Sequence, residues 1–317
     1  MTAVAAPARA SRARYVQDYG VYAAVLVLLL FNAVFTENFL DLANLRTQLV
    51  QVAPVVIVAL GMALVIGSEG VDLSVGSVMA LAAAVIPLYL GSGMWMAIAM
   101  ALLAGAAAGA LNGTLVAVVN LQPIVATLAL LVAGRGIALV LADGQLKQIR
   151  NPDLLALGRD QVAGLPMMVW IAVVLALLVG AVVHRTTYGR QLVAVGGNRA
   201  AAHLAGLPVR RVLIVTYVLC GVFAALAGVL ATARLTASDP SAIGNLMELS
   251  AITAVVVGGT PLTGGRIRVL GTVAGALLMQ LLRATLIKHD LPDSTAQMVQ
   301  AAIILVAVYL ARQRRTR

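Results

Sequence analysis

HRTTYGRQLVAVGGNRAAAHLAGLPVRR, residues 184–211, is the stretch from which the rest of the chain is oriented. It is the longest polar interruption with a basic balance in a sequence otherwise built of apolar runs. Arg185, Arg190, Arg199, Arg210 and Arg211 lie in it, and no acid does. Gly189, Gly196, Gly197, Gly206 and Pro208 punctuate it and leave room for one or two helical turns between Asn198 and Leu204. Lys and Arg are enriched in cytoplasmic loops, so a basic loop between two membrane spans belongs on that side.

Composition agrees with spans on either side of it. Of 317 residues 62% are hydrophobic and only 11% charged, and the mean hydropathy is +1.00. A soluble domain is about 45–50% apolar and about 25% charged. The net charge of +10 does not make this a nucleic-acid binder, because the basic residues sit at the ends of apolar runs. The single cysteine, Cys220, excludes an intrachain disulfide and a multi-cysteine metal site. Inside an apolar run it reads as a small buried hydrophobe.

A spanning helix needs about 20 apolar residues. Segments of that kind lie near 15–35, 49–67, 73–90, 94–119, 123–142, 165–183, 212–233, 269–287 and 295–311. The run 249–259 is too short to cross alone, and is either a half-helix or the inner part of a span beginning near Leu246. Counting it predicts an all-α polytopic membrane protein of about ten transmembrane helices with both termini cytoplasmic. Residues 1–14 read as a disordered basic arm, 15–311 as one transmembrane domain and 312–317 as a basic tail. The run after the arm offers no small-residue cleavage site at the right place, so a cleaved signal peptide is not expected. With 184–211 inside, 14 Lys and Arg fall on the cytoplasmic side and 6 outside, the bias that sets orientation. Continuous rather than alternating apolar runs argue against a β-barrel.

Small residues dominate the spans, as in Ala104-Gly105-Ala106-Ala107-Ala108-Gly109-Ala110 and between Gly271 and Gly275. They predict close helix–helix approach, since packing rather than hydrophobicity drives association in lipid. An internal echo accompanies them. The run ending in Gly67-Ser68-Glu69-Gly70, followed by Gly76 and a small-residue helix, is matched by Gly258-Gly259-Thr260, then Gly264-Gly265 and Gly271. Both pass from outside to inside and return, the pattern of a parallel repeat.

Polar groups break the apolar pattern at two further places. Glu69 and Asp72 are carboxylates set between glycines, and an ionised carboxylate in lipid is costly enough to require a protein interior or an aqueous cavity. Either they form a proton or cation site, or Asp72 and Ser74 satisfy backbone groups at the start of the next helix. Arg135 lies midway along the fifth span, too deep to snorkel, and calls for either structural pairing or a place along a pathway. No Walker lysine motif or H-E-x-x-H occurs, the three histidines are scattered, and Ser74 and Ser77 have no nearby base.

Gly70-Val71-Asp72-Leu73-Ser74-Val75-Gly76-Ser77 resembles the G-[IV]-D-L-S-V-G-S segment of sugar-importing ABC transporter permeases, the ribose, xylose and galactofuranose group. Asn112-Gly113, Gln122-Pro123-Ile124-Val125-Ala126-Thr127-Leu128 and Arg135-Gly136 match that group's N-G, P-[FI]-[IV]-A-T-L and R-G pattern. The stretch from Thr186 or Thr187 to Val209 is similar to its T-x-[FY]-G-R…A-[VI]-G-x-N…G-[IL]-x-V loop, and Gly258-Gly259 with Gly264-Gly265-Arg266 to its second glycine region. The resemblance covers nearly the whole chain. Leu121–Gln145 and Leu246–Arg266 are most like the galactofuranose members. Glu69 stands where these permeases usually have Gly, and Arg266 where they have Gly or a neutral residue.

The resemblance implies a permease without enzymatic activity and without a cofactor. It implies as partners a second permease subunit, identical or paralogous, a cytoplasmic ATP-binding subunit and a periplasmic or extracellular sugar-binding protein. The setting is the lipid of a bacterial inner membrane. The loop 184–211 would couple to the ATPase through Gly189, Arg190, Gly196, Asn198, Ala201, Ala205 and Gly206, small residues suiting insertion into a groove. Asp72, Ser74, Asn112, Thr127 and Arg135 would lie at the translocation pathway or its gate. The alternative from another class is an ion- or proton-coupled secondary transporter using Glu69, Asp72 and Arg135. A membrane-embedded enzyme lacks a convergent nucleophile and base.

Overall fold

The computed structural model describes residues 8–312. The chain runs through α1 (Ala8–Phe35), α2 (Leu42–Gly67), α3 (Val75–Tyr89) with a 3-10 turn after it, α4 (Met94–Ala117) and α5 (Pro123–Leu141). Then come α6 (Pro152–Arg159), α7 (Met167–Arg185), α8 (Thr187–Gly197), α9 (Arg199–Leu204), α10 (Val209–Leu235), α11 (Met247–Val257), α12 (Val269–Lys288) and α13 (Asp293–Arg312). Four two-residue strands complete it: β1 (Lys147–Gln148) pairs antiparallel with β4 (Ala237–Ser238), and β2 (Gln161–Val162) with β3 (Leu165–Pro166).

The segments expected from hydropathy all carry helices. Among the described residues seven helices are long and apolar enough to cross a membrane: α2, α3 with its 3-10 turn, α4, α5, α7, α10 and α12. Tyr19–Phe35 and Met247–Val257 are shorter apolar helices. One expectation is corrected. Residues 8–14 belong to α1 rather than to a disordered arm, since Ala and Arg are good helix formers; residues 1–7 lie outside the described part. In the polar loop 184–211 the short helical stretch expected between Asn198 and Leu204 is α9, six residues long, and the longer α8 precedes it.

α2 and α10 form the centre. Every residue of α2 from Val56 to Gly67 is buried, as a helix apolar on all sides must be. α5 and α7 turn large side chains such as Val132, Val140, Leu177 and Leu178 outward, the surface a lipid would cover. The small-residue stripe of α4 packs on α10. A Cβ on Gly105, Gly109 or Gly221 would overlap backbone of the facing helix, so glycine sets how closely these two helices approach.

α11 realises the half-helix alternative. It is 11 residues long, and the chain before it descends along α3 instead of forming a helix. The Ser238 hydroxyl donates to Ala83 O at 2.6 Å, while Gly244 lies against the backbone of Gly76. That descent covers two turns of α3, about 10 Å at 1.5 Å per residue.

Candidate functional site

The glycine-rich α2–α3 and α11–α12 connections meet on the face built by the basic loop. At the end of α2 the Gly70 N–H donates to Val65 O and the Glu69 N–H to Ile66 O, both at 3.0 Å. At the end of α11 the Thr260 N–H donates to Val255 O at 3.1 Å and the Gly259 N–H to Val256 O at 3.0 Å. Both ends are therefore the same Schellman motif, which gives the sequence echo a structural counterpart. The two turns are also joined, since the Gly265 N–H donates to Gly67 O at 3.0 Å. α8 seats on both: a Cβ on Gly196 would overlap Gly67 O and stand 2.9 Å from Gly265 N.

Side-chain caps shape this segment. Thr186 Oγ1 accepts from the Gly189 N–H at 3.2 Å and Asn198 Oδ1 from the Ala201 N–H at 2.9 Å, as N-cap residues do. Tyr188 of α8 shares a 2.9 Å hydrogen bond with Thr216 of α10, and burial pushes its phenol up to about 12. The loop is thus tied to the bundle through α8, while Ala201, Leu204, Ala205 and Gly206 stay exposed.

Asp72, Ser74 and Asn112 come together just behind these turns. The Ser74 N–H and hydroxyl donate to Asp72 Oδ1 at 2.9 and 2.6 Å. Asn112 Nδ2 of α4 donates to Ser74 Oγ at 2.9 Å and to Asp72 Oδ1 at 3.4 Å. Asp72, Ser74 and Asn112 are buried. Asp72 thus makes an Asx turn onto the capping residue itself, rather than bonding amides within the first turn of α3. Thr127 donates to Pro123 O at 2.9 Å and Val71 O at 3.4 Å, holding α5 against the same turn.

Arg135 clamps the descending segment. Its Nη1 donates to Pro240 O and to Ile243 O at 2.5 and 2.7 Å, and its Nη2 to Gly76 O at 3.4 Å. Asp239 folds the same segment by accepting from the Ser241 and Ala242 amides. The guanidinium therefore meets freed backbone carbonyls, a known way to place Arg inside a span.

Residues 44–308 match the family described as "Branched-chain amino acid transport system / permease component". The chain belongs to this permease family. The permease is 39% identical over 291 residues to the ribose import permease protein RbsC of Escherichia coli (strain K12), covering 90% of each chain. It is 40% identical over 264 residues to the galactofuranose transporter permease protein YtfT of the same strain, covering 83% of this chain and 77% of that one. To the fructose import permease protein FruF of Bifidobacterium longum (strain NCC 2705) it is 34% identical over 310 residues, covering 91% and 86%. No solved structure matches the chain.

Two features of the permease were not found from its sequence. Leu204, at the tip of α9, is 88% exposed, an apolar side chain held out from the basic loop. The second is a cavity of about 560 Å³ between α2, α10, α11, α12 and α13. Asp72, Ser74, Asn112, Thr127 and Arg135 do not line it. Gln51, Arg234, Ser250, Gln280, Arg283 and Gln300 do, and the advance signal was that Gln280 and Arg283 interrupt the apolar run of the ninth span.

The Schellman geometry also explains the unusual Glu69. It occupies the left-handed position, φ +65°, that Gly259 fills in the other turn at φ +89°. A non-glycine residue there costs roughly 1 kcal/mol. Glu69→Gly is expected to stabilise the permease by about that amount and to raise the Tm in detergent by about 2 °C. A lower Tm in a thermal scan would mean that the Glu69 side chain makes a stabilising contact.

Proposed function

We propose that this permease is the transmembrane subunit of an ATP-driven, binding-protein-dependent importer of a monosaccharide, a pentose or hexose. The junction of Gly67, Gly196 and Gly265 carries the reading. A displacement of α8 and α9 from the cytoplasm is delivered through backbone contacts to the α2–α3 and α11–α12 turns together. The names of the relatives supply the cargo class: ribose, galactofuranose and fructose are all monosaccharides.

A separate ATP-binding subunit docks on α9. Leu204 enters its groove beside Ala201, Ala205 and Gly206, Arg190 sits at the rim, and Gly189, Gly196 and Asn198 set the segment's path. A second permease subunit completes the pathway, and a periplasmic or extracellular sugar-binding protein delivers cargo. Ten segments cross a bacterial cytoplasmic membrane, α11 together with the descending chain before it making one of them, with both termini inside as the 14-to-6 basic bias favours. Residues 15–311 form the transmembrane domain, between a basic arm (1–14) and a basic tail (312–317). ATP hydrolysis belongs to the partner, and the permease uses no cofactor. Asp72, Ser74, Asn112, Thr127 and Arg135 act as the gate's framework, holding the broken segments that border the pathway.

The test is ATP hydrolysis stimulated by sugar-loaded binding protein, measured beside uptake in the same reconstituted vesicles. Ala201→Trp and Leu204→Asp should insert normally, because the loop is outside the lipid, and should lower uptake at least tenfold. Arg190→Ala should be milder, since an exposed charge contributes only about 0–1 kcal/mol. Normal coupling in both bulky and charged variants would reduce this loop to a connector and sink the docking assignment. A reporter at residue 200 found outside would overturn the orientation.

A further inference from the structure

The polar side chains of the cavity lie apart from the Asp72 cluster. Gln280 Nε2 of α12 donates to both Gln48 Oε1 and Gln51 Oε1 of α2 at 2.8 Å, and Gln280 is 8% exposed. Across the cavity Gln300 Nε2 of α13 donates to Ser250 Oγ of α11 at 3.3 Å. Arg234 of α10 and Arg283 of α12 both line the same space, and the Arg234 Nε is buried without a hydrogen-bond partner among the described residues. A buried donor left unpaired costs about 1–3 kcal/mol, so this Nε calls for an acceptor that a ligand or water supplies. Gln51 lies about 14 Å along α2 from its outer end, and Gln280 about 12 Å from the outer end of α12. The polar groups are therefore well inside the bundle, where an unused amide would be a liability.

The chemistry of this lining selects a class of ligand. Amides offer donor and acceptor together, and a sugar hydroxyl is both as well, so several hydroxyls on one ring can be met at once. Val55, Met79, Leu249 and Met279 supply an apolar wall for the C–H face of a ring. No carboxylate and no aromatic ring lines the cavity among the described residues. Without a stacking surface the ring is held weakly, as a transit site requires if its occupant is to leave. The volume of about 560 Å³ lies within the 300–1,000 Å³ usual for small-molecule sites.

We infer that this cavity is a cargo site of the permease itself, holding one neutral monosaccharide in ring form through Arg234, Gln51, Gln280 and Ser250. It rests on the import reading above. It adds that selection continues after the binding protein has released its sugar, and that the Asp72 cluster is not where cargo sits.

The test uses the complete transporter in vesicles. Uptake of D-ribose, D-galactose, D-fructose and L-arabinose is measured first with the unaltered permease. Ala301→Cys, on the cavity wall but outside the proposed ligand set, is then labelled with a small thiol reagent, in a chain whose only native cysteine, Cys220, is buried. Whichever sugar is carried is added at saturating concentration during labelling. Labelling should slow at least fivefold, while Gln161→Cys, outside the cavity lining, labels at an unchanged rate. Adding Gln280→Leu to Ala301→Cys should abolish the protection and lower uptake about tenfold. Uptake by the unaltered permease without protection of Ala301→Cys overturns the cavity assignment and leaves the import reading standing. Absence of uptake of all four sugars by the unaltered permease removes the import reading, and the cavity assignment with it.

Discussion

Gly196→Val is expected to abolish coupled uptake, whereas Gly197→Val, one position later, is expected to be tolerated. The difference lies in what each new Cβ meets. At 196 it would overlap Gly67 O and crowd Gly265 N at 2.9 Å. Both are backbone atoms in turns already held by hydrogen bonds, so neither can swing away. At 197 the nearest atom is Gly265 Cα at 4.0 Å, an ordinary contact. Overpacking costs typically 1–3 kcal/mol, and rigid backbone neighbours put Gly196→Val at the upper end, about 3 kcal/mol. The strain is relieved only if α8 lifts off both turns, which is the contact proposed to carry motion into the bundle. The measurement is the Tm in detergent beside uptake in vesicles. Equal losses in both variants would mean that substitution anywhere in α8 disturbs the loop, and the junction would lose its special place.

Asp72→Leu is expected to lower the amount of folded permease severalfold, and Asp72→Asn to keep most of the transport. Leu takes away the acceptor for the Ser74 N–H, the Ser74 hydroxyl and Asn112 Nδ2, at a site 1% exposed. Each stranded donor costs about 1–3 kcal/mol, so the sum is several kcal/mol. Asn retains a carbonyl oxygen that can accept from Ser74, and it removes a charge whose burial is itself costly. The variants are compared by membrane abundance, by elution as a single species and by uptake. If Asp72→Asn folds normally yet transports nothing, the charge is required. The ion-coupled alternative would then gain weight.

Much of the architecture was legible locally. Every apolar run carries a helix because lipid and tight bundles alike demand intrasegment hydrogen bonding. The basic loop announced itself by charge and its glycines marked out the short helix that follows Asn198, although the longer α8 ahead of Asn198 was hidden. That residue ends α8 and caps α9 at once, a role that pattern alone assigns only loosely. The site was legible in part. Asp72, Ser74 and Asn112 do meet, but Asx-turn geometry and a hydrogen bond from a helix forty positions away decide that Asp72 is a hub rather than a helix cap. Arg135 gave no sign of its partners, because they are carbonyls of a segment that any sequence can supply.

By itself the sequence determined that the protein is a polytopic membrane permease, and it is the basis of the proposed orientation. Hydropathy over about 20 residues and the distribution of Lys and Arg are local quantities, and they needed no fold to be read. Its small residues likewise foretold close helix contacts. Only the tertiary structure decided which elements those contacts join. It brought Gly67, Gly196 and Gly265 to one point, set Arg135 against Pro240, and closed a polar cavity with Gln51 and Gln280, 229 positions apart. The physical reason is that an amide on a helix looks the same to its chain neighbours whether it faces lipid, a partner amide or a cavity. What it faces is set by the packing of the whole bundle.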